Sequence, residues 1–128
     1  MEKISFIGCG SWGGALGKVL SDKGYLVKMW HRNKEIVSSL ELTRRHYIIP
    51  EIVFNKNVSF TDELDDVIDY SPIIILAIPS QTIRSVLEKI PKIFKGEKTI
   101  VNVSKGIEID TLMTISQIVK DIGCDSQS

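Results

Sequence analysis

With 16 basic and 16 acidic side chains among 128 residues, the chain carries no net charge, so no electrostatic field draws it to nucleic acid or to an anionic membrane surface. A 43% hydrophobic and 25% charged composition is that of a soluble globular domain, long enough to bury about two thirds of its unfolded surface in one core. Cys9 and Cys124 stand at opposite ends without C-x-x-C spacing, which argues for neither a disulfide framework nor a zinc site. With no apolar run of membrane-span length and no targeting leader, a reducing cytoplasmic setting is expected.

In chain order, Ile4-Ser5-Phe6-Ile7 predicts a strand closed by Gly8-Cys9-Gly10-Ser11-Trp12-Gly13, a G-x-G-x-x-G. Between a strand and a helix this motif has a mechanism. Gly8 permits the tight turn, Gly10 lets backbone approach a pyrophosphate, and Gly13 lets helix and strand pack closely. The anion rests on the helix N-terminus, where unpaired N–H groups and the dipole favour it. A plain glycine turn is the alternative. Trp12, Ala15, Leu16, Val19 and Leu20 form a helical stripe expected to face a sheet, and Gly24 is suited to end the helix in the left-handed conformation. Tyr25 to Trp30 reads as the second strand. Glu35 to Leu42, capped by Asn33 and with Ile36, Val37 and Leu40 inward, reads as the second helix.

Thr43 to Asn57 reads as a loop whose Arg44-Arg45-His46 patch is expected to be solvated, before a brief strand at Val58-Ser59-Phe60. Thr61 is predicted to cap a helix with Asp62 and Glu63 in its first turn and Asp65, Asp66 and Asp69 on a solvated face. Ile73 to Ile78, opened by Pro72, are six consecutive apolar residues, as a central parallel strand requires, and they end at Pro79-Ser80. Ile83, Val86, Leu87 and Ile90 predict a helix stopped by Pro91, with Phe94 under the connection to Lys95-Gly96. Thr99 to Val103 is the fifth strand. After Ser104-Lys105-Gly106, Asp110 is placed to cap a last helix carrying Leu112, Ile115, Ile118, Val119 and Ile122 and ending at Gly123, before a frayed tail.

The alternation predicts an α/β fold, a doubly wound, mostly parallel sheet of Rossmann type with helices on both faces. Ligands of such sheets bind at the carboxyl edge, where Gly8 to Gly13, Pro79-Ser80 and Ser104-Lys105-Gly106 should converge. At the end of the second strand, where an acid would hold the ribose of NAD, stand His31-Arg32-Asn33. A guanidinium there can pair with a 2′-phosphate, so NADP(H) is at least tolerated, unless Arg32 is a solvated turn charge. Lys105 brings an ammonium to the crevice or is a surface lysine. Trp12 belongs to the core face, its backbone N–H still able to serve the pyrophosphate. His31 and His46 read as loop histidines, without metal spacing, and Cys9 as a small filler.

Together these motifs resemble NAD(P)-dependent glycerol-3-phosphate dehydrogenase of the bacterial type. The glycine loop is similar to its G-x-G-S-W-G, Met29-Trp30-His31-Arg32-Asn33 to its adenosine-side strand end, and Tyr47-Ile48-Ile49-Pro50 to its Y-L-P segment. Ala77-Ile78-Pro79-Ser80 is similar to its A-V-P-S, and Val103-Ser104-Lys105-Gly106-Ile107-Glu108 to its V-S-K-G-I-E. The resemblance implies hydride transfer between nicotinamide and dihydroxyacetone phosphate, giving sn-glycerol 3-phosphate for phospholipid synthesis. It implies Ser11, Trp12, Arg32, Tyr47 and Lys105 as NAD(P)H contacts, joined by Gly8, Gly10, Gly13 and Pro79, with Lys105 also touching substrate. It further implies a homodimeric full-length enzyme whose helical second domain supplies the catalytic residues. Residues 1–128 are then the dinucleotide-binding domain alone, binding cofactor without turnover. The rivals are a stand-alone dinucleotide-binding or sensing module without catalysis, and a relative acting on another small carbonyl.

Overall fold

A computed structural model describes residues 2–89 and 99–102. Strand and helix alternate through β1 (Lys3–Ile7), α1 (Ser11–Asp22), β2 (Leu26–Trp30), α2 (Lys34–Thr43), β3 (Val58–Thr61), α3 (Leu64–Tyr70), β4 (Ile73–Leu76), α4 (Ser80–Glu88) and β5 (Thr99–Asn102). All five strands run parallel in the order β3-β2-β1-β4-β5. This is the doubly wound α/β arrangement, and its order reverses between β1 and β4.

Side chains of a strand alternate between two faces, and both faces here are covered. Phe6, Met29, Phe60 and Ile75 share one core with Val37 and Leu40 of α2. Ile7, Ile74, Leu76 and Ile100 share the other with Val67 and Ile68 of α3 and Ile83 and Leu87 of α4. That two-sided burial explains why β4 reads as an unbroken apolar run.

The face that α1 turns to the sheet differs from the expected stripe. Its buried residues are Gly13, Gly14, Gly17 and Ser21, whereas Trp12 is 63% and Val19 49% exposed. Small residues let the helix backbone approach the strands: a Cβ on Gly17 would stand 3.0 Å from Met29 Sδ. Leu16 and Leu20 pack beside this seam. Trp12 therefore leaves the core. The helix ends as expected, with Gly24 at φ +102° while Tyr25 N–H bonds Leu20 O (3.2 Å) and Gly24 N–H bonds Ser21 O (3.0 Å).

Asn33 caps α2 as expected, its Oδ1 accepting from the N–H groups of Glu35 (2.9 Å) and Ile36 (3.2 Å). Thr61 does not cap α3. It is the last residue of β3, and its Oγ1 accepts the Glu63 N–H and donates to Asp66 Oδ2, both at 3.0 Å. The helix begins at Leu64, so its first-turn acids are Asp65 and Asp66 and not Asp62 and Glu63. A strand-end hydroxyl can bridge to a helix one turn away, and sequence spacing does not separate that from a cap. Asp65, Asp66 and Asp69 are exposed, as expected. The β4 ladder stops at Leu76. Ile90, Pro91, Phe94, Lys95-Gly96, Val103 and the helix and tail expected from Asp110 onward lie outside the described residues.

Ser5, fully buried on β1, donates its hydroxyl to Val67 O at 2.6 Å, in the middle of α3. Ser5→Ala strands that carbonyl away from water and should cost about 1–2 kcal/mol in urea unfolding. The half-buried Ser59, whose hydroxyl stands 3.5 Å from Val27 O, should lose no more than about 0.5 kcal/mol on change to Ala.

Candidate functional site

Three ladders end at one level. Gly8 N–H bonds Trp30 O (3.0 Å), Ala77 N–H bonds Ile7 O (2.9 Å) and His31 N–H bonds Thr61 O (3.0 Å). The loops after β1, β2 and β4 therefore leave the sheet side by side, enclosing a cleft of about 300 Å³ at the switch point. Gly8, Gly10, Arg32, Tyr47 and Pro79 line it, and so do His31, Ile48, Ile78 and Thr82. Thr82 was not legible as a site residue because the β4–α4 turn itself, Pro79-Ser80, carries the sequence signal, and Thr82 comes into line only one helical step later. Ser104, Lys105 and Gly106 lie outside the described residues, as does Cys124.

Each motif glycine has a different physical reason. Gly8 sits at φ +114°, and a Cβ there would lie 2.2 Å from Ala77 O. A Cβ on Gly13 would stand 3.0 Å from that of Ala77 and 3.1 Å from Gly8 O. Gly10, the N-cap of α1, has nothing within 4 Å of a Cβ, so its exposed flank is open for close approach. No side chain caps α1 and no acid occupies its first turn. The N–H groups of Gly10, Ser11, Trp12 and Gly13 find no acceptor among the described residues. Unpaired donors, a positive dipole end and an open glycine fit an anion such as a pyrophosphate. Ser11 and Trp12 stand exposed on that first turn, at the rim and not in the lining.

The Arg44-Arg45-His46 segment, expected to be a solvated basic patch, instead leads into Tyr47 and Ile48, which form the far wall of the cleft. Arg44 takes the left-handed conformation (φ 60°), ending α2 and turning the chain back, and its Nη2 donates to Asn55 O and to Val58 O (2.6 Å). Arg45 alone is exposed, donating to Pro50 O at 3.1 Å. His46 is 2% exposed, lodged beneath the glycine loop with hydrogen bonds to both ring nitrogens. A polar residue can be buried once each polar atom is satisfied; the Cys9 carbonyl that meets Nε2 is remote in sequence, whereas the Ile48 N–H that meets Nδ1 is local. Tyr47 stacks on His46 and meets His31 edge-on, ring centroids 4.8 and 5.2 Å apart.

Arg32 is exposed at the cleft and makes no ion pair among the described residues. Beside it, burial first and then the neighbouring Arg32 guanidinium hold the His31 imidazole below its ordinary value, while Asn33 N–H occupies its Nδ1 (2.9 Å). The guanidinium thus brings a positive charge to this side of the cleft. Burial, and then Cys9, push the Tyr47 hydroxyl up.

Cys9 is the small buried filler expected, and burial pushes its thiol up to about 12. The thiolate is the reactive form, so Cys9 should resist iodoacetamide at about pH 8.5 in the folded protein and be alkylated in urea, as located by peptide mapping. Alkylation of the folded protein at Cys9 would contradict this burial. No metal-binding cluster and no helix long and apolar enough to cross a membrane occurs among the described residues.

An all-parallel doubly wound sheet whose glycine loop opens a helix at the switch point defines a Rossmann-type dinucleotide-binding domain. A family model, NAD-dependent glycerol-3-phosphate dehydrogenase N-terminus, matches residues 3–127. The chain is 38% identical over 122 residues to glycerol-3-phosphate dehydrogenase (NAD(P)+) of Fusobacterium nucleatum, covering 94% of this chain and 36% of that protein. It is 39% identical over 118 residues to the same enzyme of Geobacter metallireducens, covering 91% and 35%. Among solved structures, glycerol-3-phosphate dehydrogenase of Coxiella burnetii shares the fold with a TM-score of 0.89 over 98% of this chain and 38% of that one, at 21% identity. The chain belongs to the N-terminal family of NAD-dependent glycerol-3-phosphate dehydrogenase, whose cofactor is NAD(P)H. It spans 36% of the length of the Fusobacterium enzyme.

Proposed function

We propose that residues 1–128 form the cofactor-holding unit of an enzyme that interconverts dihydroxyacetone phosphate and sn-glycerol 3-phosphate, the latter for phospholipid synthesis. The observation that carries this reading is the uncapped, acid-free N-terminus of α1 in the same cleft as Arg32, which makes no ion pair among the described residues. When bound, the nicotinamide cofactor supplies or takes up hydride. The chain's own groups bind and orient it: Gly8, Gly10, Ser11, Trp12 and Gly13 present backbone to the pyrophosphate, Arg32 meets the adenosine end, and Tyr47 and Pro79 wall the cleft. Lys105 completes this set as a cofactor and substrate contact. We place the proton donor for the substrate oxygen in the part of the relatives' length that this chain does not span, which makes the 128 residues binding-competent without turnover. A homodimeric, cytoplasmic whole enzyme without nucleic-acid partners completes the proposal.

NADPH fluorescence on titration with the chain tests the binding, and dihydroxyacetone phosphate-dependent NADPH oxidation tests the division of labour. Binding without oxidation is expected. Appreciable oxidation by these 128 residues would overturn the division of labour, and absence of binding would overturn the whole reading.

A further inference from the structure

His46 joins the glycine loop to the far wall of the cleft, and its hydrogen bonds assign it a task. Its Nδ1 accepts N–H bonds from Ile48 (3.0 Å) and Ile49 (3.1 Å), so that nitrogen carries a lone pair and the ring proton sits on Nε2. Nε2–H donates to the Cys9 carbonyl at 2.8 Å, with Gly10 O at 3.1 Å. A trans peptide points its C=O and N–H to opposite sides, and the described backbone has no cis bond. Turning the Cys9 carbonyl toward His46 therefore turns the Gly10 N–H away from it. That N–H is among those without an acceptor in the described residues. Gly14, which lies outside the G-x-G-x-x-G, is what admits the ring: a Cβ there would stand 2.4 Å from His46 Cδ2 and 2.5 Å from Nε2.

We propose that His46 is a positioning residue for the pyrophosphate, its Nε2–H locking the Cys9–Gly10 peptide with the Gly10 N–H offered to the anion and the carbonyl withheld from it. The inference rests on the reading of the glycine loop as a dinucleotide cradle. A flipped peptide would aim a carbonyl oxygen, not a donor, at the phosphates. Because Tyr47 stacks on the same ring, cradle and far wall share one joint.

Two variants separate the halves of the ring. His46→Asn keeps an acceptor near the place of Nδ1 and loses the donor, whereas His46→Gln keeps an amide N–H near the place of Nε2. His46→Asn should weaken NADPH and ADP-ribose about tenfold while 2′-AMP, which has no pyrophosphate, binds unchanged, and His46→Gln should stay within about threefold for all three. A merely structural role would weaken the three ligands together, in step with a lowered melting temperature and with Gln no better than Asn. That pattern would overturn the proposal. Should His46→Asn not fold, Gly14→Ala displaces the ring without removing it and should reproduce the same ligand pattern, a uniform loss overturning it. In the unaltered protein, long-range 15N–1H correlations should place the His46 proton on Nε2, and a proton on Nδ1 overturns the assignment. If the unaltered chain binds neither NADPH nor ADP-ribose, the cradle reading itself fails. If it binds both and the Asn and Gln variants bind them alike, only the role of His46 fails.

Discussion

Gly8→Ala should destabilise the protein by about 4 kcal/mol, combining the cost of a positive φ for a residue with a side chain and that of forced overpacking. The φ of +114° disfavours any L side chain, and the added Cβ would lie 2.2 Å from Ala77 O and 2.7 Å from Ala77 C. Those atoms are backbone, so no rotamer change relieves the contact. The strand edges must part instead. Gly8 N–H bonds Trp30 O and Ala77 N–H bonds Ile7 O, so a shift there loosens the carboxyl ends of β1, β2 and β4 together and with them the cleft. Differential scanning calorimetry should show a fall in melting temperature of about 15 °C, with NADPH binding lost alongside. Gly24→Ala is the informative comparison: its φ is +102°, but a Cβ there meets nothing within 4 Å, so only the conformational part, about 1–2 kcal/mol, should be lost. Equal losses at the two positions would show that the close approach at Gly8 contributes nothing.

Arg32→Ala should weaken NADPH by about 10- to 100-fold, as loss of charge-assisted bonds worth about 1.5–3 kcal/mol implies. NADH, which lacks the 2′-phosphate, should change by no more than about threefold. The asymmetry follows from the surroundings of the guanidinium. It forms no ion pair among the described residues, so binding a phosphate breaks no internal bond. The neighbouring His31 imidazole, held low by burial and by Arg32 itself, does not duplicate the charge at neutral pH. The measurement is a pair of fluorescence titrations on the same preparations. Equal losses for the two cofactors would remove the 2′-phosphate role and leave Arg32 as an adenine or turn contact.

Element type and order were legible where side-chain period and punctuation agree. β4 reads as buried on both faces because Ile74, Ile75 and Leu76 are all apolar, and Asn33 reads as a cap because its amide stands immediately before a helical stripe. The glycine turn was legible through backbone requirements, since glycines at 8, 10 and 13 between strand and helix suit a positive φ and close approach. Other features depended on partners far away in sequence. The inward face of α1 is set by how closely Gly13, Gly14 and Gly17 let the backbone approach Ala77, His46 and Met29, a distance that hydrophobic periodicity does not encode. His46 is buried because the distant Cys9 O meets its Nε2 while the local Ile48 and Ile49 N–H groups satisfy its Nδ1, and an Arg-Arg-His triplet carries no trace of that distant carbonyl. Thr61 looked like a cap because a hydroxyl before acidic residues suits one, but its strand runs one residue further and its oxygen bridges to Asp66.

The sequence by itself determined a βα alternation, a parallel sheet and an anion-ready glycine turn, because periodicity, capping and glycine conformation act over a few residues. Only the tertiary structure decided that α1 lies on the sheet by its glycines, that Trp12 stands outside, and that a histidine from the loop after α2 is lodged under the cradle. Those outcomes are settled by packing distance and by the pairing of buried polar atoms, and both belong to neighbours in space.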